Sequence, residues 1–77
     1  MNSQQILEES IEKMGVWMTK HPTGTLTVPS DEGVIQILPY PGHWVVRWKN
    51  LNEVLPYETN KYERGQVADL VHKILTW

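Results

Sequence analysis

The chain has 77 residues, nine acidic against seven basic for a formal charge of −2, and no cysteine. That length holds one small domain, 1–77, with a thin margin of stability, and the missing cysteine excludes disulfides, thiolate nucleophiles, zinc fingers and iron–sulfur ligation. The charge has the wrong sign for gripping phosphate backbones, so nucleic acid is disfavoured as a partner.

Residues 1–10 show neither the basic flank nor the apolar centre of a signal peptide, and no run approaches the roughly 18 apolar residues of a membrane span. The expectation is a cytoplasmic protein with no membrane partner. A first helix is predicted from an N-cap at Asn2 or Ser3 to Thr19 or Lys20, because Pro22 turns His21 away from helical angles. Leu7, Ile11, Met14 and Met18 form its apolar stripe, flanked by Ile6 and Trp17, and this stripe is expected to pack in the core. Glu8, Glu9, Glu12 and Lys13 fall on the wet side, with Glu9 and Lys13 spaced for an ion pair.

Three strands follow. His43 to Asn50 carries the strongest strand signal, since Trp44, Val46 and Trp48 alternate with Val45, Arg47 and Lys49. Ser30-Asp31-Glu32-Gly33 and Tyr40-Pro41-Gly42-His43 have turn chemistry and read as hairpin connections. Pairing Pro39 with Trp44 sets Ile37 against Val46, Ile35 against Trp48, Leu38 against Val45 and Gln36 against Arg47. Pairing Pro29 with Val34 sets Val28 beside Ile35 and Leu26 beside Ile37. The two registers agree: Leu26, Val28, Ile35, Ile37, Trp44, Val46 and Trp48 share one face, and a slip of one residue would mix the faces. The other face shows Thr25, Thr27, Gln36, Arg47 and Lys49 around Val34, Leu38 and Val45, which suits either a solvated sheet or a binding face.

Leu51 to Thr59 reads as a short edge strand, where Pro56 is tolerated, or as a crossing loop. Asn60 and Glu63 offer a capping box for a second helix, and a start near Gln66 is equally open after Gly65. Val67, Leu70, Val71 and Ile74 form its stripe, with Leu75 and Trp77 at the edges. The expected fold is α+β, a two-layer domain of helix, three-stranded antiparallel sheet and helix (αβββα) with both helices on one face.

No catalytic pattern stands out. His21, His43 and His72 have no metal-ligand spacing; Ser3, Ser10 and Ser30 lie in no nucleophile elbow; the five glycines form no phosphate cradle. The acidic residues cluster on a wet helix face and in a turn, without two carboxylates in contrasting environments. The expectation is a protein that is not an enzyme and uses neither cofactor nor metal.

Four tryptophans and three tyrosines with no phenylalanine favour binding, because indole and phenol carry polar groups that suit interfaces. The residues Trp44-Val45-Val46-Arg47-Trp48-Lys49-Asn50, then Tyr57-Glu58, then Asp69-Leu70-Val71, resemble part of a chromodomain. The resemblance implies a strand-strand-helix order and makes Trp48 one wall of a methyl-lysine cage; Leu51 stands where the family commonly has another cage aromatic, and no aromatic begins the Val34 strand. The leading expectation is a small non-catalytic protein-binding domain: an adaptor, an accessory subunit or a phage or mobile-element type of inhibitor. The other is a nucleic-acid or chromatin module using the open sheet face. Candidate binding residues are Thr25, Thr27, Gln36, Arg47, Lys49 and Tyr57. A homodimer is also expected to be open to this chain, through an exposed edge strand.

Overall fold

Alternating side chains and two-residue turns make most of this chain a meander. In the computed structural model, which describes residues 3–57 and 65–76, helix α1 (Ser3–Lys13) precedes strands β1 (Thr19–Lys20), β2 (Leu26–Ser30), β3 (Gly33–Tyr40), β4 (His43–Trp48) and β5 (Leu51–Pro56), and helix α2 (Gln66–Thr76) follows. The strands form one antiparallel sheet in chain order. The class is α+β, and the sheet has five strands where the sequence predicted three. Asn2, the Asn60–Glu63 box, Glu58, Thr59 and Trp77 lie outside the described residues.

Both predicted hairpin registers are present. Leu26 pairs with Ile37, Val28 with Ile35 and Pro29 with Val34, while Ile37 pairs with Val46, Leu38 with Val45 and Pro39 with Trp44. Gly42 has φ +81°, as the second central residue of a Pro-Gly turn requires. Leu26, Val28, Ile35, Ile37, Trp44, Val46 and Trp48 therefore point one way, into a core closed by Leu7 and Ile11 of α1 and Val67, Val71 and Ile74 of α2. Both helices thus cover the same face.

The first helix is shorter than its stripe suggested. It ends at Lys13 rather than Thr19 or Lys20, because Gly15 takes φ +72° and its N–H closes on the Glu12 carbonyl at 3.0 Å. Beyond it Val16 and Met18 still pack against the core, but as alternating residues of an extended segment, and Trp17 between them is 79% exposed rather than flanking a core stripe. Thr19 and Lys20 then pair with Thr27 and Leu26, closed by a turn in which His21 N–H donates to the Thr25 carbonyl at 2.9 Å. Lys20 Nζ lies 3.5 Å from Glu8 Oε1, tying β1 to α1.

The last strand resolves the open reading of Leu51–Thr59 in favour of an edge strand as far as Pro56. Trp48 pairs with Leu51 across the Lys49–Asn50 turn, with Lys49 at φ +52°. A two-residue turn closes on a hydrogen-bonded pair, after which bonded and non-bonded pairs alternate. The missing N–H of Pro56, opposite His43, therefore faces out of the sheet and costs the ladder nothing.

Candidate binding face

Among the described residues no helix covers the sheet's other side, and its residues fall into rows set by the register. One row crosses every strand: Thr19, Thr27, Gln36, Arg47 and Asn52. With strands about 4.8 Å apart, it spans about 19 Å. Arg47 Nε donates to Asn52 Oδ1 at 3.4 Å, and His21 Nε2 lies 3.2 Å from Thr27 Oγ1. The side chain of Gln36, between Thr27 and Arg47, has no hydrogen bond among the described residues, so its amide remains available.

Apolar groups lie to either side of this polar row. On one side Leu38, Val45 and Val54 align across β3, β4 and β5; Val45 is covered by its neighbours, whereas Val54 is 62% exposed at the edge. Beyond them Tyr40 and His43 stack with centroids 5.4 Å apart, and His43 Nδ1 lies 3.1 Å from the Pro41 carbonyl, which orients the imidazole. On the other side Val34 is exposed beside Pro29. Trp17, exposed two residues before Thr19, precedes this row in the chain.

Comparison with protein-family models, curated proteins and solved structures finds no match to this chain.

Of the sequence-predicted binding residues, Thr27, Gln36 and Arg47 stand in one row, and Thr25 lies in the β1–β2 turn just before β2. Lys49 and Tyr57 are elsewhere. Lys49 sits in the β4–β5 turn, ion-paired with Glu32, its ammonium 5.0 Å from the centroid of the Trp48 ring. Tyr57 packs on the helix side, edge-on to Trp44 with centroids 5.2 Å apart, and its hydroxyl donates to the Tyr40 carbonyl. Both brace the fold and leave the open face to the others.

Trp48, the cage wall implied by the chromodomain resemblance, is 8% exposed; its indole N–H donates to Ser30 Oγ at 3.1 Å. The chain's own Lys49 stands at that ring, where a bound cation would have to sit. The face also includes Thr19, Asn52 and Val54, which the sequence reading did not single out, nor did it single out the exposure of Trp17 just before β1. The signal for Trp17 and Thr19 was a period of two through Val16-Trp17-Met18-Thr19, hidden because Met14 and Met18 also fit a helical period. Among the described residues no group of three or more histidines and acids is placed to hold a metal ion.

Proposed function

We propose that this chain is a small non-catalytic protein-binding domain, acting as an adaptor, an accessory subunit or an inhibitor of the kind phages and mobile elements carry against a host protein. The observation that carries this is the composition of the open face. Large apolar groups in water at Val34 and Val54 flank a polar row whose Gln36 and Arg47 have hydrogen-bonding groups to offer, and Trp17, exposed just before β1, adds an indole close in sequence to the Thr19 end of that row. Apolar anchors with Trp and Arg, rimmed by polar side chains, are the composition of protein interfaces.

The test is affinity capture with the full chain as bait, followed by mass spectrometry, run beside Trp17→Ser and Arg47→Glu. A stoichiometric protein recovered by the native chain and lost from both variants is the expected result. Recovery of no stoichiometric protein, or capture indifferent to both substitutions, would overturn the reading.

A nucleic-acid module is the second reading, favoured by one observation: exposed Arg47 shares its face with the stacked Tyr40–His43 pair, a cation and rings of the kind that hold single strands. Lys49, held by Glu32 in the β4–β5 turn, and Lys20, which pairs with core-facing Leu26 and reaches Glu8 of α1, lie off that face, which leaves it little positive charge. A labelled single-stranded oligonucleotide titrated at several salt concentrations separates the readings. Binding that persists in Arg47→Glu, or has no salt slope, removes this second one.

A further inference from the structure

The chain's charges are sorted between the two sides of the sheet. Among the described residues, every carboxylate lies on the helix side or in a turn that borders it. Glu8, Glu9 and Glu12 are on α1, and Asp69 is on α2. Glu53 pairs with core-facing Val46 and borders α2, while Asp31 and Glu32, in the β2–β3 turn, border the end of that helix at Ile74 and Leu75. The open face holds none of these acids. Its fixed charge is Arg47, with the imidazoles of His21 and His43 at its margins. An acidic chain thus presents one face of the opposite sign.

Arg47 is also arranged to receive a partner. Its Nε donates to Asn52 Oδ1 at 3.4 Å, which orients the guanidinium, and no described carboxylate pairs with it. The two Nη groups therefore remain to donate, and parallel N–H donors of this kind match the two oxygens of a carboxylate. Gln36 stands opposite Arg47 on β3, so its side-chain amide adds a donor beside them.

We propose that the open face docks on an acidic patch of its protein partner. Arg47 holds one carboxylate of that patch, and apolar neighbours of the carboxylate sit on the row Leu38, Val45 and Val54. That row runs beside Gln36, Arg47 and Asn52 two residues along each strand, about 7 Å away, so one patch of a protein surface reaches both. A phosphate backbone suits the face less well, because one fixed cation supplies few phosphate contacts and Val54 would stay in water. This inference rests on the binding reading above and names the chemistry of the partner.

The probe is the protein that the native chain captures, purified and titrated against native chain, Arg47→Gln and Arg47→Glu at about 50 and about 500 mM salt. Arg47 is exposed, so circular dichroism of each variant should match the native chain. Arg47→Gln should weaken the complex about tenfold and Arg47→Glu about a hundredfold, with the native complex weaker at high salt. Arg47→Lys places an amine at the same point. A water-soluble carbodiimide should then join that amine to an Asp or Glu of the partner as an amide, which mass spectrometry of the linked peptides locates.

A complex indifferent to salt and to Arg47→Gln, or one that yields no amide at position 47, overturns this inference and leaves the binding reading standing. Capture of no stoichiometric protein removes both. A labelled single-stranded oligonucleotide held with an Arg47-dependent salt slope, in place of a protein, assigns the face to nucleic acid and counts against the inference. So does a native chain that polymerises until Arg47→Glu is introduced, which would seat the acidic helix side of another copy on this face.

Discussion

Trp48 shows how a polar handle on a large side chain is accommodated in so small a core. The indole stands among apolar residues, yet its N–H reaches the hydroxyl of Ser30, which itself donates to the Gly33 carbonyl and so ties the indole to the first hairpin turn. A hydrogen bond of this kind contributes about 1 kcal/mol net, whereas losing the whole ring costs about 3–5 kcal/mol. Ser30→Ala and Trp48→Phe should therefore each lower stability, and the double variant should lose about 1 kcal/mol less than their sum, read from urea unfolding followed by circular dichroism. A coupling near zero would mean that the indole draws nothing from Ser30. Tyr57 follows the same rule at the opposite end of β4: its ring packs edge-on to Trp44 and its hydroxyl finds the Tyr40 carbonyl. Two of the aromatics that first suggested an interface thus have their polar atoms engaged inside the fold, and among the described residues the exposed indole is Trp17.

Each element's boundary is set by one or two backbone positions. Gly15, in the left-handed region, ends α1; a Cβ there would meet nothing within 4 Å, so the cost of Gly15→Ala is one of conformation and not of space. That cost is about 1–2 kcal/mol, and Gly15→Asn should recover part of it, measured as the shift in thermal midpoint. Equal stability for Gly15→Ala would show that the segment tolerates another helix end. Prolines obey the same backbone accounting: Pro29 and Pro56 stand where their missing N–H points away from the neighbouring ladder. The central hairpins were legible in the sequence because two constraints met there, a period of two and turns rich in glycine or proline. Of the outer strands, β1 was missed and β5 was left open between strand and loop, for physical reasons. The Lys49–Asn50 turn has no glycine although Lys49 adopts positive φ, and in Leu51–Pro56 the helix-side residues Leu51, Glu53 and Leu55 are split by a charge, which weakens the alternation. Of the candidate site, the row through Thr27, Gln36 and Arg47 followed from register alone. Lys49 was misplaced because its parity was carried past the end of β4 into a turn, where alternation no longer holds.

The whole molecule is a sheet with one dry side and one wet side, and its stability is concentrated on the dry side. Ile37 and Leu38 are chain neighbours that separate the two. Ile37 is fully buried between Leu26 and Val46 beneath the helices, whereas Leu38 is only partly covered, beside Val45 on the open face. Truncating a fully buried aliphatic side chain costs about 2–5 kcal/mol, because the cavity adds to the lost transfer energy; a partly solvated one lacks most of that second contribution. A domain of this size has a total stability of only about 5 kcal/mol, so Ile37→Ala should leave a measurable fraction unfolded at room temperature. Leu38→Ala should stay folded, with a loss nearer 1 kcal/mol. Urea midpoints of the two variants against the native chain test this directly. The reverse order would mean that the sheet presents its other side to the helices, a slip of one residue that would also bury Gln36 and Arg47 and remove the open face on which the binding proposal stands.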